Sequence, residues 1–308
     1  MTTVAVMMST YNGERFLREQ LDSILAQEDV CVSIYVRDDC SSDNTRKILR
    51  EYADHCDRFY VDLAQQNLGV GNSFMQLIYD TPAKYDYFAF SDQDDIWEPR
   101  KLMEAVSVLR EKNALLYGSN QECVDKDGNS LGLRYSRETA VNTNPIGILE
   151  RNMIAGCTMV FTKQFFSILQ DEAHRPSTAL LRNRIHDVWV AMVASVHDGL
   201  AYDERSFIKY RQHENNVVGA YTGGMKNRVH QIVKKMKDPN ERNGRSKLAK
   251  EICIAFPHAA EQYALLSSCA ESKSARSKLA LLREEKELRR YSNESYFGFF
   301  AKVIFNLF

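Results

Sequence analysis

Residues 90–97 read FSDQDDIW, three aspartates and a glutamine set between Phe90 and Trp97, directly after the apolar run YDYFAF (85–90). An apolar strand that ends in clustered carboxylates needs either open solvent or a positive partner, because unpaired negative charge is not tolerated in a packed core. Which of the two applies depends on what the neighbouring strands deliver to the same place. Asp92 and Asp94 are two residues apart, so on extended backbone their carboxylates point the same way. Hard oxygen ligands of this kind suit Mg²⁺ or Mn²⁺, which take one or two protein carboxylates together with phosphate oxygens. A solvated acidic turn is the competing reading.

Upstream, short apolar runs alternate with segments of helical period, the pattern of an α/β sheet with parallel strands. VAVMM (4–8), VCVSIYVR (30–37), RFYVDL (58–63) and YFAF (87–90) are the expected strands. Between them, Phe16, Leu17, Leu21, Ile24 and Leu25 share one helical face, and Ser42 or Asp43 is placed to cap a helix carrying Ile48, Leu49 and Tyr52. Pro99 is expected in the first turn of the helix bearing Leu102, Val106 and Leu109. The polar clusters TYNGE, DD (38–39) and DQDD therefore all fall at carboxyl ends of strands, where open α/β sheets bind ligands. No G-x-G-x-x-G follows the first strand, and GVGNSF (69–74) offers only a short G-x-G, which disfavours a nicotinamide enzyme.

Further along, VDKDGNSLG (124–132) is expected to be a hairpin turn and IAGCTMVFT (154–162) a strand. A helix should run from about 185 to 196, followed by the strand SFIKYRQH (206–213). From about 224 the pattern becomes helical. Met225, Val229, Ile232, Val233 and Met236 form a stripe among lysines and arginines, and Pro257 should break the next segment. The tail YFGFFAKVIFNLF (296–308) is apolar all round but much shorter than the ~20 residues of a bilayer span.

The 308 residues, 44% hydrophobic and 26% charged, suit a globular protein, divided as a catalytic domain over 1–223 and a basic, apolar helical region over 224–308. The net charge of −1 hides an asymmetry: 1–223 hold 23 Lys and Arg against 32 Asp and Glu, whereas 224–308 hold 17 against 9. The two parts thus face different partners, and the second either lies on a membrane surface or packs on the catalytic domain or a second subunit. Seven scattered cysteines with no C-x-x-C suggest neither a disulfide framework nor a zinc site, and fit the cytoplasm. The N-terminal apolar run is too short for a secretory signal. The basic region matches no nucleic-acid-binding module, so no nucleic acid partner is expected.

Taken in order, STYNGERFLREQLDSILAQ (9–27), VRDDCSSDNT (36–45), NLGVGNSF (67–74) and FSDQDDIWEPRKL (90–102) resemble the family 2 glycosyltransferases, inverting enzymes of the GT-A fold. SDQDDIW, HDVW (186–189) and YRQHENNVVG (210–219) resemble most the bacterial rhamnosyltransferase-like branch. The resemblance covers about residues 3–220. It implies a mixed, Rossmann-like sheet that binds a nucleotide-sugar, and a divalent metal, Mn²⁺ or Mg²⁺. It places Thr10, Tyr11, Glu14, Asn67 and Gln93 in the nucleotide-sugar pocket, with Asp39 accepting from the pyrimidine imide. Asp92 would meet the ribose or the metal, Asp94 would ligate the metal, and His213 would meet the diphosphate or complete the metal shell. Arg211 is a phosphate candidate. Asp187 would be the base for the acceptor hydroxyl, unless it merely caps its helix. Gly156 would let the backbone approach the acceptor or only ease strand packing, and Trp189 would stack on a sugar or belong to the core. The implied donor is dTDP-L-rhamnose or a UDP-hexose, and the implied acceptor a bacterial surface glycan or its lipid-linked precursor, used on the inner face of the cell membrane. A phosphoryl-transfer enzyme and a silent nucleotide- or glycan-binding protein are the other classes; the phosphatase pattern wants its aspartates after the first strand, which here ends in STYN.

Overall fold

The computed structural model describes residues 1–136, 138–182, 186–213, 244–272, 274–290 and 295–305. Strands β1 (Thr2–Thr10), β2 (Val30–Asp38), β3 (Phe59–Leu63) and β4 (Tyr87–Ser91) run parallel, linked by helices α1 (Leu17–Leu25), α2 (Thr45–His55) and α3 (Val70–Asp80). Beyond β4 come β5 (Ile96–Trp97), α4 (Lys101–Glu111), β6 (Leu116–Val124), β7 (Ser130–Leu133), α5 (Pro145–Glu150), β8 (Val160–Thr162), α6 (Lys163–Gln170), α7 (Thr178–Leu181), α8 (His186–Val196) and β9 (Leu200–Arg211). The nine strands form one sheet in the order β3-β2-β1-β4-β8-β6-β9-β5, with β7 hairpinned onto β6. Because β8 lies antiparallel between β4 and β6, the sheet is mixed.

Strand β1 shows why the sheet is covered on both faces. Val4, Val6 and Met8 enter one apolar cluster with α1, α2 and α4, while Ala5 and Met7 enter the other with α3, α6 and α8. Alternate side chains leave a strand on opposite sides, so a run apolar at every position demands helices above and below. Helix α8 is buried along its whole length, as a helix apolar all round must be.

Several expected boundaries shift. Pro99 precedes the N-cap Arg100 of α4 instead of lying in its first turn. No side chain of the N-cap Asn44 caps α2, but the Asp43 carboxylate accepts from the Thr45 amide at 3.0 Å. Of 154–162 only Val160–Thr162 is strand, with a 3₁₀ turn at Gly156–Thr158 before it. The hairpin forms as expected around Asp125–Gly128.

Among the described residues six further helices follow: α9 (Gly244–Ala255), α10 (Pro257–Gln262), α11 (Ala264–Ala270), α12 (Ala275–Arg283), α13 (Glu285–Arg290) and α14 (Tyr296–Ile304). Pro257 opens α10, ending the preceding helix as anticipated. Leu248, Ile252, Phe256, Leu266, Leu281, Leu288, Phe299 and Val303 join the same cluster as Trp189 of α8, so these helices share a core with the sheet. A buried ion pair, Arg245 Nη2 to Glu150 Oε2 at 2.9 Å, ties α9 to α5. The Met225–Met236 stripe and the 223/224 boundary lie outside the described residues. Among the described residues no helix is long and apolar enough to cross a membrane.

Candidate active site

The register of the parallel strands brings the polar clusters together. Thr10 lies opposite Asp38 and Met8 opposite Ser91, so residues 11–14, 39–43 and 92–95 leave the sheet along one edge. Asp38 organises that edge: its carboxylate accepts from the Thr10 hydroxyl (3.1 Å), the Ser41 amide (3.0 Å) and hydroxyl (2.5 Å), and Arg46 Nε (2.7 Å). Asp39, 2% exposed, accepts from Arg37 Nη1 (2.5 Å) and the Leu68 amide (2.8 Å) on Oδ1, and from the Gly69 amide (2.9 Å) on Oδ2. A carboxylate has about four acceptor positions, so one remains, on Oδ2. Asn67 Nδ2 donates to the Asp39 carbonyl at 3.0 Å and its Oδ1 accepts from Gly69, shaping the same loop. Tyr11 is half-exposed.

Three expected pocket residues turn out to build the edge. Thr10 is buried with its hydroxyl on Asp38. Glu14 Oε2 accepts from the backbone and side-chain nitrogens of Asn44, at 2.8 and 2.7 Å, and so fixes the turn before α2. Gln93 bonds the Tyr11 backbone twice, Oε1 accepting from its amide (2.9 Å) and Nε2 donating to its carbonyl (3.1 Å), and it fills the space a Cβ at Gly13 would need. It is a clamp between the DQDD and TYNG loops. Gln93→Leu should raise KM for the donor by up to about thirtyfold with kcat nearly unchanged, since two hydrogen bonds of about 1 kcal/mol each are lost; steady-state kinetics checks this.

The strand ladder stops at Ser91, so the simple alternation expected for Asp92 and Asp94 does not hold. Asp94 Oδ2 meets His213 Nε2 at 2.8 Å, both side chains mostly buried. Asp92 sits deeper. Burial, with the charges of Asp94 and Asp187, pushes its carboxyl up to about 7. Arg211 is 3% exposed, and its guanidinium donates to Glu19 Oε2 (2.5 Å) and to the carbonyls of Asp94 and Lys126 (both 3.0 Å), while stacking over Phe16 (4.5 Å). These contacts brace the acidic loop and use three of the five guanidinium N–H donors.

Beneath the loop lies a buried group that sequence patterning missed: Asp95, Cys157 and Lys101. Asp92, Asp95 and Cys157 hold ligand atoms within 4.8 Å of one another. Burial, then the Asp94 and Asp92 charges, raises Asp95 well above the carboxylate range, and burial raises the Cys157 thiol likewise. Burial lowers Lys101 to about 7, its Nζ lying 3.6 Å above the Trp97 ring. Among the described residues, Asp92, Asp95 and Cys157 are the group whose ligand atoms lie close enough together to hold one cation, which would itself favour their charged forms. Asp94 and His213, in contact at 2.8 Å, add a carboxylate oxygen and an imidazole of the kind divalent cations take.

Asp187 is the second residue of α8, inside the helix and so not its N-cap, and is 9% exposed. A Cβ on Gly156 would lie 2.6 Å from His186 Nε2 and 3.5 Å from the Asp187 Cβ. Gly156 is thus required by close approach of the 155–158 turn to the start of α8. Gly156→Ala should cost about 1–3 kcal/mol of stability and lower transfer roughly tenfold, read by thermal unfolding and initial rates. His186 stacks on Phe74 at 3.9 Å, and burial lowers it to about 3, so it is a neutral core ring. Trp189, 1% exposed within the apolar cluster, is core as well, and its expected stacking on a sugar is corrected: no face of the indole reaches the open edge.

Comparison with known proteins bears on the family and the fold. The model of glycosyl transferase family 2 matches residues 5–171. The dTDP-rhamnosyl transferase RfbG of Shigella flexneri is 35% identical over 226 residues, 69% of this chain and 74% of that protein. An uncharacterized glycosyltransferase of Rickettsia conorii is 30% identical over 69% of this chain, the match spanning 34% of that longer protein. Among solved structures, S. aureus TarS 1-349 in complex with UDP-GlcNAc aligns over 99% of this chain and 82% of its own, with TM-score 0.56 and 18% identity, a likeness of fold. The strand-end site, the mixed sheet and these relatives lead to one assignment: the chain belongs to glycosyl transferase family 2, with the GT-A fold, and is a glycosyltransferase.

Proposed function

We propose that the protein is a metal-dependent, inverting transferase that moves L-rhamnose from dTDP-L-rhamnose to a hydroxyl of a bacterial surface glycan or its lipid-linked precursor, working at the cytoplasmic face of the membrane. The donor reading rests on the 35% identity to a dTDP-rhamnosyl transferase. The site reading rests on the meeting of Asp94 and His213 at 2.8 Å beside Asp92.

In this reading Tyr11 and the Asn67 loop receive the pyrimidine, and the remaining acceptor position on Asp39 Oδ2 takes its N3–H. Asp94 and His213, with Asp92, hold Mn²⁺ or Mg²⁺, which when bound offsets the charge of the diphosphate. Arg211 and Glu19 keep the acidic loop in place. Asp187 removes the acceptor hydroxyl proton as that oxygen attacks the anomeric carbon from the side opposite the diphosphate. The Gly156 turn packs closely against the start of α8 and so helps hold Asp187 in place. A UDP-hexose donor keeps every one of these roles.

Calorimetric titration of the purified protein with thymidine diphosphate, UDP and GDP, with and without Mn²⁺, tests the proposal. Mn²⁺-dependent binding with thymidine diphosphate tightest is the expected result. Tighter binding of UDP would replace the donor by a UDP-sugar, and no binding to any of them by folded protein would reject the reading.

A further inference from the structure

Helix α14 is amphipathic in an unusual sense. Phe299 and Val303, both fully buried, dock it onto the protein. The opposite face of a surface helix is ordinarily polar, yet here it carries Phe297 (80% exposed), Phe300 (40%) and Ile304 (38%), with Tyr296 (45%) and Phe305 (70%) at its margins. Lys302 is the one charged residue between Ser295 and Phe305. Tyr296 packs against Phe297 and Phe300, at centroid distances of 5.7 and 6.2 Å, so the aromatic side chains form a continuous ridge.

Basic groups stand around it. Lys278 Nζ donates to the Ile304 carbonyl at 3.0 Å, and the Arg289 guanidinium, paired with Glu285 at 2.7 Å, lies 5.8 Å from the Tyr296 ring centre. The supporting stretch 275–290 holds six Lys and Arg against three Glu. Taking about 200 Å² for a whole aromatic side chain, the ridge exposes on the order of 500 Å², at the upper end of the largest patch on an ordinary monomer. A stable protein interface covers roughly 800 Å² on each partner, more than this ridge supplies. Aromatic side chains rimmed by Lys and Arg suit a lipid surface: rings enter the headgroup and acyl boundary while cations meet anionic headgroups.

We propose that the outward face of α14 is an interfacial anchor that seats the enzyme on a bilayer bearing anionic lipids. The anchor stands whatever the donor sugar is, since the test below uses none. Binding of the full chain is measured by co-sedimentation with vesicles of phosphatidylcholine alone and of phosphatidylcholine mixed with phosphatidylglycerol, at low and high salt. The expected result is binding to the mixed vesicles, weakened by salt, and at least a tenfold loss in the variant Phe297→Ser/Phe300→Ser/Phe305→Ser. These side chains point away from the core, and an unchanged thermal unfolding midpoint and unchanged nucleotide binding show that the variant is folded. The proposal is overturned if wild type binds neither vesicle, or if the folded variant binds as well as wild type. It is equally overturned if sedimentation equilibrium shows a wild-type dimer that the variant loses, which would make the ridge a contact between copies of this chain.

Discussion

Asp187→Ala should leave Mn²⁺-dependent binding of the nucleoside diphosphate intact and lower kcat by about a thousandfold, within the range attributed to a general base. The side chain lies in the first turn of α8, where the helix N-terminus favours an anion, and it borders the tightly packed Gly156 turn. It also stands close enough to Asp92 for its charge to help push that carboxyl up. Removing it therefore relieves repulsion among the carboxylates, and the metal and diphosphate have no reason to bind more weakly. If Asp187 served only to stabilise helix amides, the substitution would cost about 1 kcal/mol of stability and spare the rate. Thermal unfolding, calorimetry and initial rates on one preparation separate the two. Normal transfer by a folded, nucleotide-binding Asp187→Ala protein would remove the base assignment.

The parallel half of the fold was readable because its central strand is apolar at every position over Val4–Met8, and because TYNGE, DD and DQDD are polar runs that have no place in a core. The convergence of TYNGE, DD and DQDD followed from strand direction alone. What could not be read was side-chain aim. Arg211 and Trp189 looked like ligands by type and position, yet the first spans from Phe16 and Glu19 to the acidic loop and the second points into the α8 packing layer. Both outcomes depend on neighbours distant in sequence, Glu19 being 192 positions from Arg211. Gln93 was expected to touch the nucleotide-sugar and instead holds the backbone of Tyr11. Asp95 stood in plain view inside SDQDDIW, but the loss of strand geometry after Ser91 removed the alternation that would have separated it from Asp92 and Asp94. For Glu19 a signal did exist, since it lies on α1 directly after the TYNGE loop.

Asp94→Ala should weaken Mn²⁺-dependent nucleotide binding by at least a hundredfold and bring it down to the level seen without metal. Asp94 is the carboxylate of the loop that meets an imidazole, His213 Nε2 at 2.8 Å, and both side chains retain only modest exposure, 16% and 12%. An ion pair formed solely for stability would behave differently. It would contribute about 0–1 kcal/mol at a partly exposed site, its removal would lower the unfolding midpoint slightly, and nucleotide binding would keep its response to Mn²⁺. His213→Ala supplies the second arm, with an expected loss of about ten- to a hundredfold in metal affinity, the range for a group that supports or completes a ligand set. If the two residues act on one ion, the double variant should bind no worse than Asp94→Ala alone, because contacts to a shared partner are not additive. Independent, multiplying losses would mean that Asp94 and His213 serve different parts of the donor. Unchanged metal-dependent binding in both single variants would leave the acidic loop with a structural role and move the search for the cation to Asp92.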